Sequence, residues 1–275
     1  MHKIKMIGLD LDGTLLTTQK EVTPYTREVL ERALANGIEV LVSTGRPISA
    51  VPRDILEIPG MRYAVTANGA RVLDLEKEEV IFEHTLPVIT AKKMLEIFQK
   101  YDTIHEVFIQ GKGYTSKNVA KAHEYFKNPS MADYFLNNRT PVEDVMATMQ
   151  EKCQPVDKVQ GIFKKEEEKR AAFLELQSVE GITVTAALEN NLEASKEGVD
   201  KGKAMIELGK MLGIRREEIM ACGDGMNDFE MLKEVGFAVA MENGHQRLKE
   251  IADYITVSND EDGVAKAIQK FALQE

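Results

Sequence analysis

The sequence predicts an α/β fold in which helices cover both faces of a parallel sheet, with a second, α+β domain inserted into the chain. Three observations lead to this prediction. Short apolar runs end in polar, glycine-containing loops near both ends of the chain, a pattern typical of buried parallel strands. A helix signal separates the first two of these runs. The middle of the chain instead mixes helical and strand-like patterns.

The first predicted elements are a strand, a helix and a second strand. Residues 4–9 form an apolar run of the kind found in buried strands. Thr23 followed by Pro24 predicts a helix start, because threonine can cap the first turn and proline is tolerated at the first helical position. The helical spacing of apolar residues stops at the Asn-Gly pair of 36–37, and residues 38–42 predict the next strand.

The same kind of pattern returns near the end of the chain. The further predicted core elements are a strand at 63–65, a helix at 203–212, and strands at 218–221 and 237–241. Because both ends of the chain look alike, we predict one discontinuous core domain formed by residues 1–85 and 188–275.

The segment between these parts, residues 86–187, has a different character. It combines helical patterns at 91–98 and 166–176 with strand-like runs at 107–109 and 159–163. We therefore predict that it forms the inserted α+β domain.

The composition argues against several classes of protein. With 43% hydrophobic residues in 275, the chain has enough apolar material for a sizeable core. Its net charge of -10 argues against nucleic acid as a partner. Apolar runs of roughly 18 residues and a signal-peptide pattern are absent from the sequence, so we expect no membrane span. Two cysteines are too few for a disulfide framework or a cysteine-rich zinc site, so we expect a cytoplasmic protein. The sequence does not indicate an oligomeric state.

Two aspartates follow the first predicted strand. Asp10 and Asp12 are two residues apart, and alternate side chains of an extended chain point to the same side, so both carboxylates can face one ligand. A turn or helix cap built by aspartate and Gly13 is the simpler interpretation. A calcium loop fits only in part, because Thr14 stands where a third ligand is needed although Glu21 occupies the last position. The preceding strand also argues against an EF-hand, which has a helix there.

A second acidic loop, residues 223–228, follows the predicted strand at 218–221. Loops at the carboxyl ends of parallel strands meet at one crevice, so Asp224 and Asp228 are expected to join the first two aspartates there. Four carboxylates in one place repel each other unless a cation compensates them, and hard oxygen ligands suit Mg²⁺. The sequence therefore predicts a Mg²⁺ site.

Two further segments have the chemistry to bind an anion. The Thr44 hydroxyl and the backbone amides of Gly45 and Arg46 follow the second predicted strand and could hold a phosphate, although a helix cap and turn is the alternative. Lys201 could bind a phosphate as a point charge, although a surface lysine at a helix start is the simpler interpretation when the residue is taken alone. Lys203 is the other lysine that could take this role.

Taken in order, these segments resemble the motifs of the haloacid dehalogenase-like superfamily, and in particular its Cof-type phosphatases with a large insertion cap. The four motifs are DLDGTL at 10–15, STGRP at 43–47, GVDKG at 198–202 and GDGMND at 223–228. The sequence TANGA at 66–70 resembles an additional Asn-Gly loop of that family. The resemblance implies a Rossmann-like core with the inserted domain as its cap. The chain departs from the family pattern around Asn243, where a small residue commonly precedes the asparagine and alanine follows it.

The resemblance also implies a role for each site residue. Asp10 would be the nucleophile and Asp12 the general acid and then base, while Asp10, Asp224 and the backbone carbonyl of Asp12 would bind Mg²⁺. The residues implied to bind the phosphoryl group or substrate are Leu11, Thr44, Gly45, Arg46, Lys201 and Asn227. Asp228 and Asn68 would support the site.

The expected function is Mg²⁺-dependent hydrolysis of small-molecule phosphate monoesters, with sugar phosphates as the expected substrates, through an aspartyl-phosphate. The cap is expected to exclude water and contact the leaving group. Two alternatives stay open: a phosphomutase, which forms the same intermediate but passes the phosphoryl group to a sugar hydroxyl, and a non-catalytic sensor of phosphate or metal.

Overall fold

The chain folds into two compact units. The structure is a computed structural model that describes residues 3–186 and 188–274. The first unit comprises the chain up to Gly45, Val51–Glu83, and the chain from Asp200 onward, and the second comprises Arg46–Ala50 and His84–Val199. The predicted inserted domain ended at Ala187, which lies outside the described residues.

The strands and helices are numbered separately in chain order. The strands are β1 (Met6–Leu9), β2 (Glu39–Ser43), β3 (Tyr63–Thr66), β4 (Arg71–Asp74), β5 (Glu79–Glu83), β6 (Thr103–Ile109), β7 (Lys112–Ser116), β8 (Thr140–Val142), β9 (Val156–Phe163), β10 (Ile182–Thr185), β11 (Asn191–Lys196), β12 (Ile219–Gly223), β13 (Phe237–Ala240) and β14 (Tyr254–Ile255). The α-helices are α1 (Pro24–Ala35), α2 (Arg53–Leu56), α3 (Val88–Phe98), α4 (Pro129–Asn137), α5 (Val145–Lys152), α6 (Glu166–Leu176), α7 (Lys201–Met211), α8 (Phe229–Glu234), α9 (Gln246–Ile251) and α10 (Gly263–Ile268).

The first unit is built on an eight-stranded sheet in the order β14-β13-β12-β1-β2-β3-β4-β5. The strands from β14 to β3 pair in parallel, whereas β4 and β5 are antiparallel additions at one edge. The predicted α/β class is confirmed. The two edge strands were not predicted, because β4 and β5 are short and carry charged residues at their ends.

The register of the central strands brings their carboxyl ends together. Leu9, the last residue of β1, is level with Cys222 in β12 and with Val42 in β2. The loops that follow these three strands therefore leave the same edge of the sheet, where ligands bind in open parallel sheets.

Helices cover both faces of this sheet, as predicted. On one face, α7, α8 and α9 pack against the strands around a core that includes Met6, Leu41, Met205, Leu232 and Leu248. Ile7 and Val40, which alternate with the core residues of their strands, are also buried, so the opposite face is covered as well. Helix α1 contacts β2 and packs along α10. Thr23 caps α1 by accepting a hydrogen bond from the Thr26 amide, and Pro24 is its first residue, as predicted.

The second unit has its own six-stranded sheet, in the order β10-β11-β9-β6-β7-β8. One face packs against α3, α5 and α6 around an apolar core that includes Phe98, Val107, Met149, Val159 and Leu176. The other face carries two buried ion pairs, Arg139 with Glu106 at 3.0 Å and Lys158 with Glu193 at 2.9 Å.

The chain leaves the second unit later than predicted. The sequence placed the return to the core at residue 188, but β11 pairs antiparallel with both β9 and β10 and so belongs to the second sheet. Among the described residues, no helix combines the length and apolar character needed to cross a membrane.

Candidate active site

The loop after β1 places Asp10 at the edge of the sheet and then turns back. Asp10 is buried, and its backbone amide donates to the carbonyl of Cys222 in β12 at 3.1 Å. The turn is closed by the Leu15 amide, which donates to the Asp10 carbonyl at 3.1 Å, and passes through Gly13 at φ +85°. A side chain at Gly13 would overlap the carboxylate of Asp224. The two acidic loops therefore approach each other as closely as a glycine permits.

The loop after β12 is organised by Asp228, which is fully buried. Its Oδ2 accepts hydrogen bonds from the backbone amides of Asp224 at 3.1 Å and Gly225 at 3.0 Å. The Asp224 carboxylate in turn accepts a hydrogen bond from the Thr14 hydroxyl at 2.8 Å. Thr14 therefore links the loop that carries Asp10 to the loop that carries Asp224.

Lys201, the first residue of α7, lies at the centre of these groups. Its side chain is fully buried, and its Nζ is 2.6 Å from Asp10 Oδ1 and 2.6 Å from Asp228 Oδ1. Lys203 instead is largely exposed and pairs with Asp200, the helix cap, at 3.3 Å. Of the two lysines the sequence offered, Lys201 is the one that joins the acidic groups.

Three carboxylates form a cluster with the chemistry of a metal site. Asp10, Asp224 and Asp228 each offer an oxygen, and these oxygens lie within 4.8 Å of one another. A single ammonium group, that of Lys201, cannot balance three carboxylates, and hard oxygen donors suit a divalent cation such as Mg²⁺. Because Asp228 already uses both oxygens for Lys201 and two backbone amides, Asp10 and Asp224 are the better placed ligands.

The electrostatics of the cluster reflect burial and mutual repulsion. Burial, with Asp228 as a further cause, raises the pKa of Asp10 well above its ordinary value, although Lys201 opposes the shift. Burial and Asp228 raise the pKa of Asp224 to about 7. Burial alone would lower the pKa of Lys201, but Asp10 and Asp228 outweigh it and the pKa is raised. Lys201 is therefore held as a cation among carboxylates that lack full compensation.

A second polar group lies at the ends of β2 and β3. The backbone amide of Asn68 donates to the carbonyl of the buried Thr44 at 3.0 Å. Asn227 donates its side-chain amide to Asn68 Oδ1 at 3.3 Å. A side-chain atom at Gly45 would come within 2.8 Å of Asn68 Oδ1. Asn68 therefore connects the loop that carries Thr44 and Gly45 to the loop that carries Asn227.

The match to known proteins covers nearly the whole chain. The sequence model of the haloacid dehalogenase-like hydrolase family matches residues 7–268. The chain belongs to the haloacid dehalogenase-like hydrolases. This hydrolase is 32% identical over 281 residues to the phosphatase YwpJ of Bacillus subtilis, a match that covers 95% of the chain and 98% of YwpJ.

Two further relatives carry more specific names. The 5-amino-6-(5-phospho-D-ribitylamino)uracil phosphatase YcsE of Bacillus subtilis is 28% identical, over 98% of this hydrolase and 96% of YcsE. The solved structure of the subclass IIB sugar phosphatase BT4131 superposes on this hydrolase with a TM-score of 0.82 and 25% sequence identity. The match covers 98% of this chain and 99% of the BT4131 chain. The predicted family resemblance is confirmed, and the hydrolase is a phosphatase of this family.

Asp12 is not one of the three carboxylates of the cluster in this hydrolase, although its charge contributes to the raised pKa of Asp224. Its side chain is 36% exposed, and its Oδ1 is 2.6 Å from the ammonium group of Lys20. Leu11, the residue between the two aspartates, is fully buried. The sequence analysis expects Asp12 to bind Mg²⁺ through its backbone carbonyl. The position of its carboxylate does not test this expectation, which stays a prediction.

Arg46 belongs to the second unit of the hydrolase, although Thr44 and Gly45 belong to the first. Its guanidinium lies 4.4 Å from the ring centroid of Tyr134 and donates to the Ala50 carbonyl at 3.0 Å. The side chain is thus held within the second unit. The expectation that Arg46 binds phosphate concerned its backbone amide and also stays a prediction.

Sequence reasoning missed three residues that contact the predicted site. Thr14 was considered only as a poor fit to a calcium loop and as part of the first motif, Lys20 was not considered, and Asn243 was noted only because its neighbours depart from the family pattern. Asn243 donates its side-chain amide to the Gly13 carbonyl at 2.8 Å. The signals in the sequence were weak, because a threonine, a lysine and an asparagine in polar loops are common on any protein surface.

Proposed function

We propose that the enzyme is a Mg²⁺-dependent phosphatase that hydrolyses phosphate monoesters of small molecules through a phosphoaspartate at Asp10. One observation carries the proposal: the buried Lys201 ammonium lies 2.6 Å from Asp10, inside a cluster that includes Asp224. A carboxylate nucleophile and an anionic phosphate repel each other, so this reaction needs fixed positive charge at the point of attack.

The donor set of the cluster supports a bound Mg²⁺. Asp10, Asp224 and the backbone carbonyl of Asp12 would hold the ion, which would supply the positive charge that Lys201 alone does not. Thr14 and Asp228 would keep the Asp224 loop in place through the hydrogen bonds described above.

The remaining groups would hold the phosphoryl group and the proton. We expect Lys201, the Thr44 hydroxyl, the Asn227 amide and the backbone amides around Leu11, Gly45 and Arg46 to bind the phosphoryl oxygens. Asn68 would hold the Thr44 and Asn227 loops together. Asp12, whose carboxylate lies outside the cluster, would be available to exchange a proton with the leaving group and with water.

The reaction would proceed in two balanced steps. In the first, an Asp10 oxygen forms a bond to phosphorus, the bond from phosphorus to the ester oxygen breaks, and Asp12 gives its proton to that oxygen. In the second, Asp12 takes a proton from water, the resulting oxygen bonds to phosphorus, and the bond to Asp10 breaks to release inorganic phosphate. Both side chains return to their initial states.

The expected substrates are phosphate monoesters of sugars or of sugar alcohols. One solved relative is named a sugar phosphatase, and the name of YcsE contains a phosphorylated ribityl chain. Both names share a phosphate on a polyhydroxylated carbon chain. We propose that the second unit serves as the cap that contacts this leaving group.

The test is phosphate release from p-nitrophenyl phosphate and from a panel of hexose and pentitol phosphates. The wild type should turn over with Mg²⁺ and lose activity with excess chelator. Asp10→Asn should lose activity by at least about a thousandfold without unfolding. Asp54→Asn, which changes an exposed aspartate of the same unit, is the matched control and should keep wild-type activity.

Mass spectrometry of acid-quenched enzyme tests the intermediate directly. A phosphoryl group should be trapped on the peptide that contains Asp10 in the wild type and be absent in Asp10→Asn. If Asp10→Asn keeps most of its activity, the mechanism is wrong. Turnover that needs a bisphosphate and releases little free phosphate would instead indicate a phosphomutase.

A further inference from the structure

The loop between β13 and α9 contacts both of the loops that carry the site aspartates. Asn243 donates its side-chain amide to the Gly13 carbonyl, one residue after Asp12, at 2.8 Å. The backbone amide of His245 donates to the Asp224 carbonyl at 2.8 Å. Gly244 permits this approach, since a side chain there would lie 3.1 Å from the Asp224 Cα and 2.9 Å from the Met241 carbonyl.

A second asparagine fixes the orientation of the first. The backbone amide of Asn259 donates to Asn243 Oδ1 at 3.0 Å, so the Asn243 oxygen must face Asn259 and its nitrogen must face Gly13. Asn259 also donates its own side-chain amide to the Leu16 carbonyl at 2.8 Å. The two asparagines therefore hold both ends of the turn that begins directly after Asp12.

Without the two asparagines, the turn after Asp12 would be free to change its conformation. Gly13 has a positive φ, and a glycine backbone can adopt conformations that other residues rarely reach. Asp12 is partly exposed, unlike the buried carboxylates of the cluster. A group that transfers a proton must be within hydrogen-bond reach of the oxygen it serves, and a misplacement of about 1 Å can cost roughly a hundredfold in rate.

We propose that Asn243, locked by Asn259, is a positioning residue that fixes the Asp12 turn relative to the Asp224 loop so that Asp12 can protonate the leaving group. This inference rests on the proposed function, in which Asp12 is the general acid. It assigns a role to an asparagine whose neighbours, Glu242 and Gly244, depart from the family pattern.

The inference predicts a dependence on the leaving group. p-Nitrophenolate leaves readily without a proton, whereas a sugar or alkyl oxygen needs one as its bond to phosphorus breaks. Misplacing Asp12 should therefore lower kcat/KM, which reports the first chemical step, much more for a hexose phosphate than for p-nitrophenyl phosphate. The two substrates are compared at saturating Mg²⁺, because damage to Asp10, Lys201 or a metal ligand, including weaker binding of the ion by the Asp12 carbonyl, would lower both.

The test compares Asn243→Ala with Asn36→Ala. Asn36 lies in the same unit at the end of α1 and donates its side-chain amide to the Arg32 carbonyl at 2.8 Å, so the control removes a comparable bond far from Asp12 in sequence. For Asn243→Ala we expect a loss in kcat/KM of about 10- to 100-fold on the hexose phosphate and under about threefold on p-nitrophenyl phosphate. The control should change neither value. Equal losses on both substrates, or no loss on either, would overturn the inference.

A second measurement does not depend on activity. Amide hydrogen exchange in a peptide that covers residues 10–17 should be at least about tenfold faster in Asn243→Ala than in the wild type, and unchanged in Asn36→Ala. Unchanged exchange in Asn243→Ala would overturn the inference even if turnover falls. Failure of the proposed function gives a different result: a wild type that lacks turnover, or an Asp10→Asn variant that keeps it.

Discussion

Lys201 stabilises the fold around the acidic cluster and is also the residue that we propose binds the phosphoryl group. Its ammonium group is buried between Asp10 and Asp228 at 2.6 Å from each. A buried carboxylate without a partner is unfavourable by several kcal/mol, so the lysine makes the close approach of the two aspartates tolerable. In the proposed mechanism, the same charge would be in place when a phosphate binds.

This arrangement predicts that Lys201→Met destabilises the metal-free protein. Removal of one partner from a buried ion pair typically costs about 3–5 kcal/mol. The matched control is Lys203→Met in the same helical turn, whose partly exposed pair with Asp200 should contribute less than about 1 kcal/mol. Urea unfolding with excess chelator measures both. Similar losses in the two variants would contradict the prediction.

The short motifs of the sequence predicted that Asp10, Asp224 and Asp228 lie together, and the structure brings them together. Asp224 and Asp228 are four residues apart, and their loop follows a recognisable strand. The link between Asn243 and Gly13 could not be predicted, because 230 residues separate them and a side-chain amide reaches one particular carbonyl. The partly exposed position of Asp12, directly before the turn at Gly13, could not be predicted from the sequence either.

At the scale of elements, a tight turn after β3 fixes the start of α7. Gly69 has φ +98°, and a side chain there would overlap the carbonyl of Asp200, the residue that caps the helix beginning at Lys201. The turn therefore restricts where Lys201 can lie.

Gly69→Ala is accordingly expected to reduce both stability and turnover. The control is Gly37→Ala, which also has a positive φ but would meet no atom within 4 Å. We expect Gly69→Ala to be less stable than the control by more than about 1 kcal/mol, as measured by urea unfolding. Its kcat should also fall, because Lys201 is displaced. Equal effects of the two substitutions would show that the turn has room to adjust.

Glu218 connects the segment before β12 to that before β1. Its carboxylate accepts hydrogen bonds from the Arg215 backbone at 3.0 Å and side chain at 3.3 Å, and pairs with Lys5 at 2.8 Å. The Arg215 side chain, followed by Lys5, lowers the pKa of Glu218 to about 2. Because the pKa is lower in the folded than in the unfolded state, the stability it contributes is present above the ordinary value and is lost as pH falls toward 2.

Glu218→Gln should therefore be less stable than the wild type at pH 7, and the difference should shrink between about pH 5 and pH 3. Urea unfolding at each pH measures it, with the neighbouring Glu217→Gln as control. A difference that stays constant with pH would show that packing, rather than charge, is responsible.

Two predicted elements agree closely with the structure. β3 was predicted at 63–65 and is found at Tyr63–Thr66, and α6 was predicted at its observed bounds. β11 was not predicted, because most residues of its sequence, NLEASK, are polar and suggest an exposed segment. Its first five residues are in fact buried. Glu193 is accommodated there by Lys158 from β9, a pairing that only the assembled sheet reveals. This is also why the predicted boundary at 188 came too early.

At the scale of the whole molecule, the two units have separate apolar cores and separate sheets. Asp10, Lys201, Asp224 and Asp228 all belong to the first unit. If the second unit is the cap, as we propose, the groups that would bind Mg²⁺ and those that would bind the leaving group belong to different cores, and substrate recognition could change without repacking the core that holds the aspartates.

Mg²⁺ should therefore stabilise the first unit selectively. A ligand present at a hundredfold excess over its Kd stabilises the state that binds it by about 2.7 kcal/mol. Hydrogen exchange should slow with Mg²⁺ in peptides from β1 and β12 and stay unchanged in peptides from β6 and β9, because these units have separate cores. Asp224→Asn, which removes a proposed ligand, should show no slowing in either unit. Equal protection of both units in the wild type would mean that they open together, so that the metal stabilises the fold as one cooperative structure.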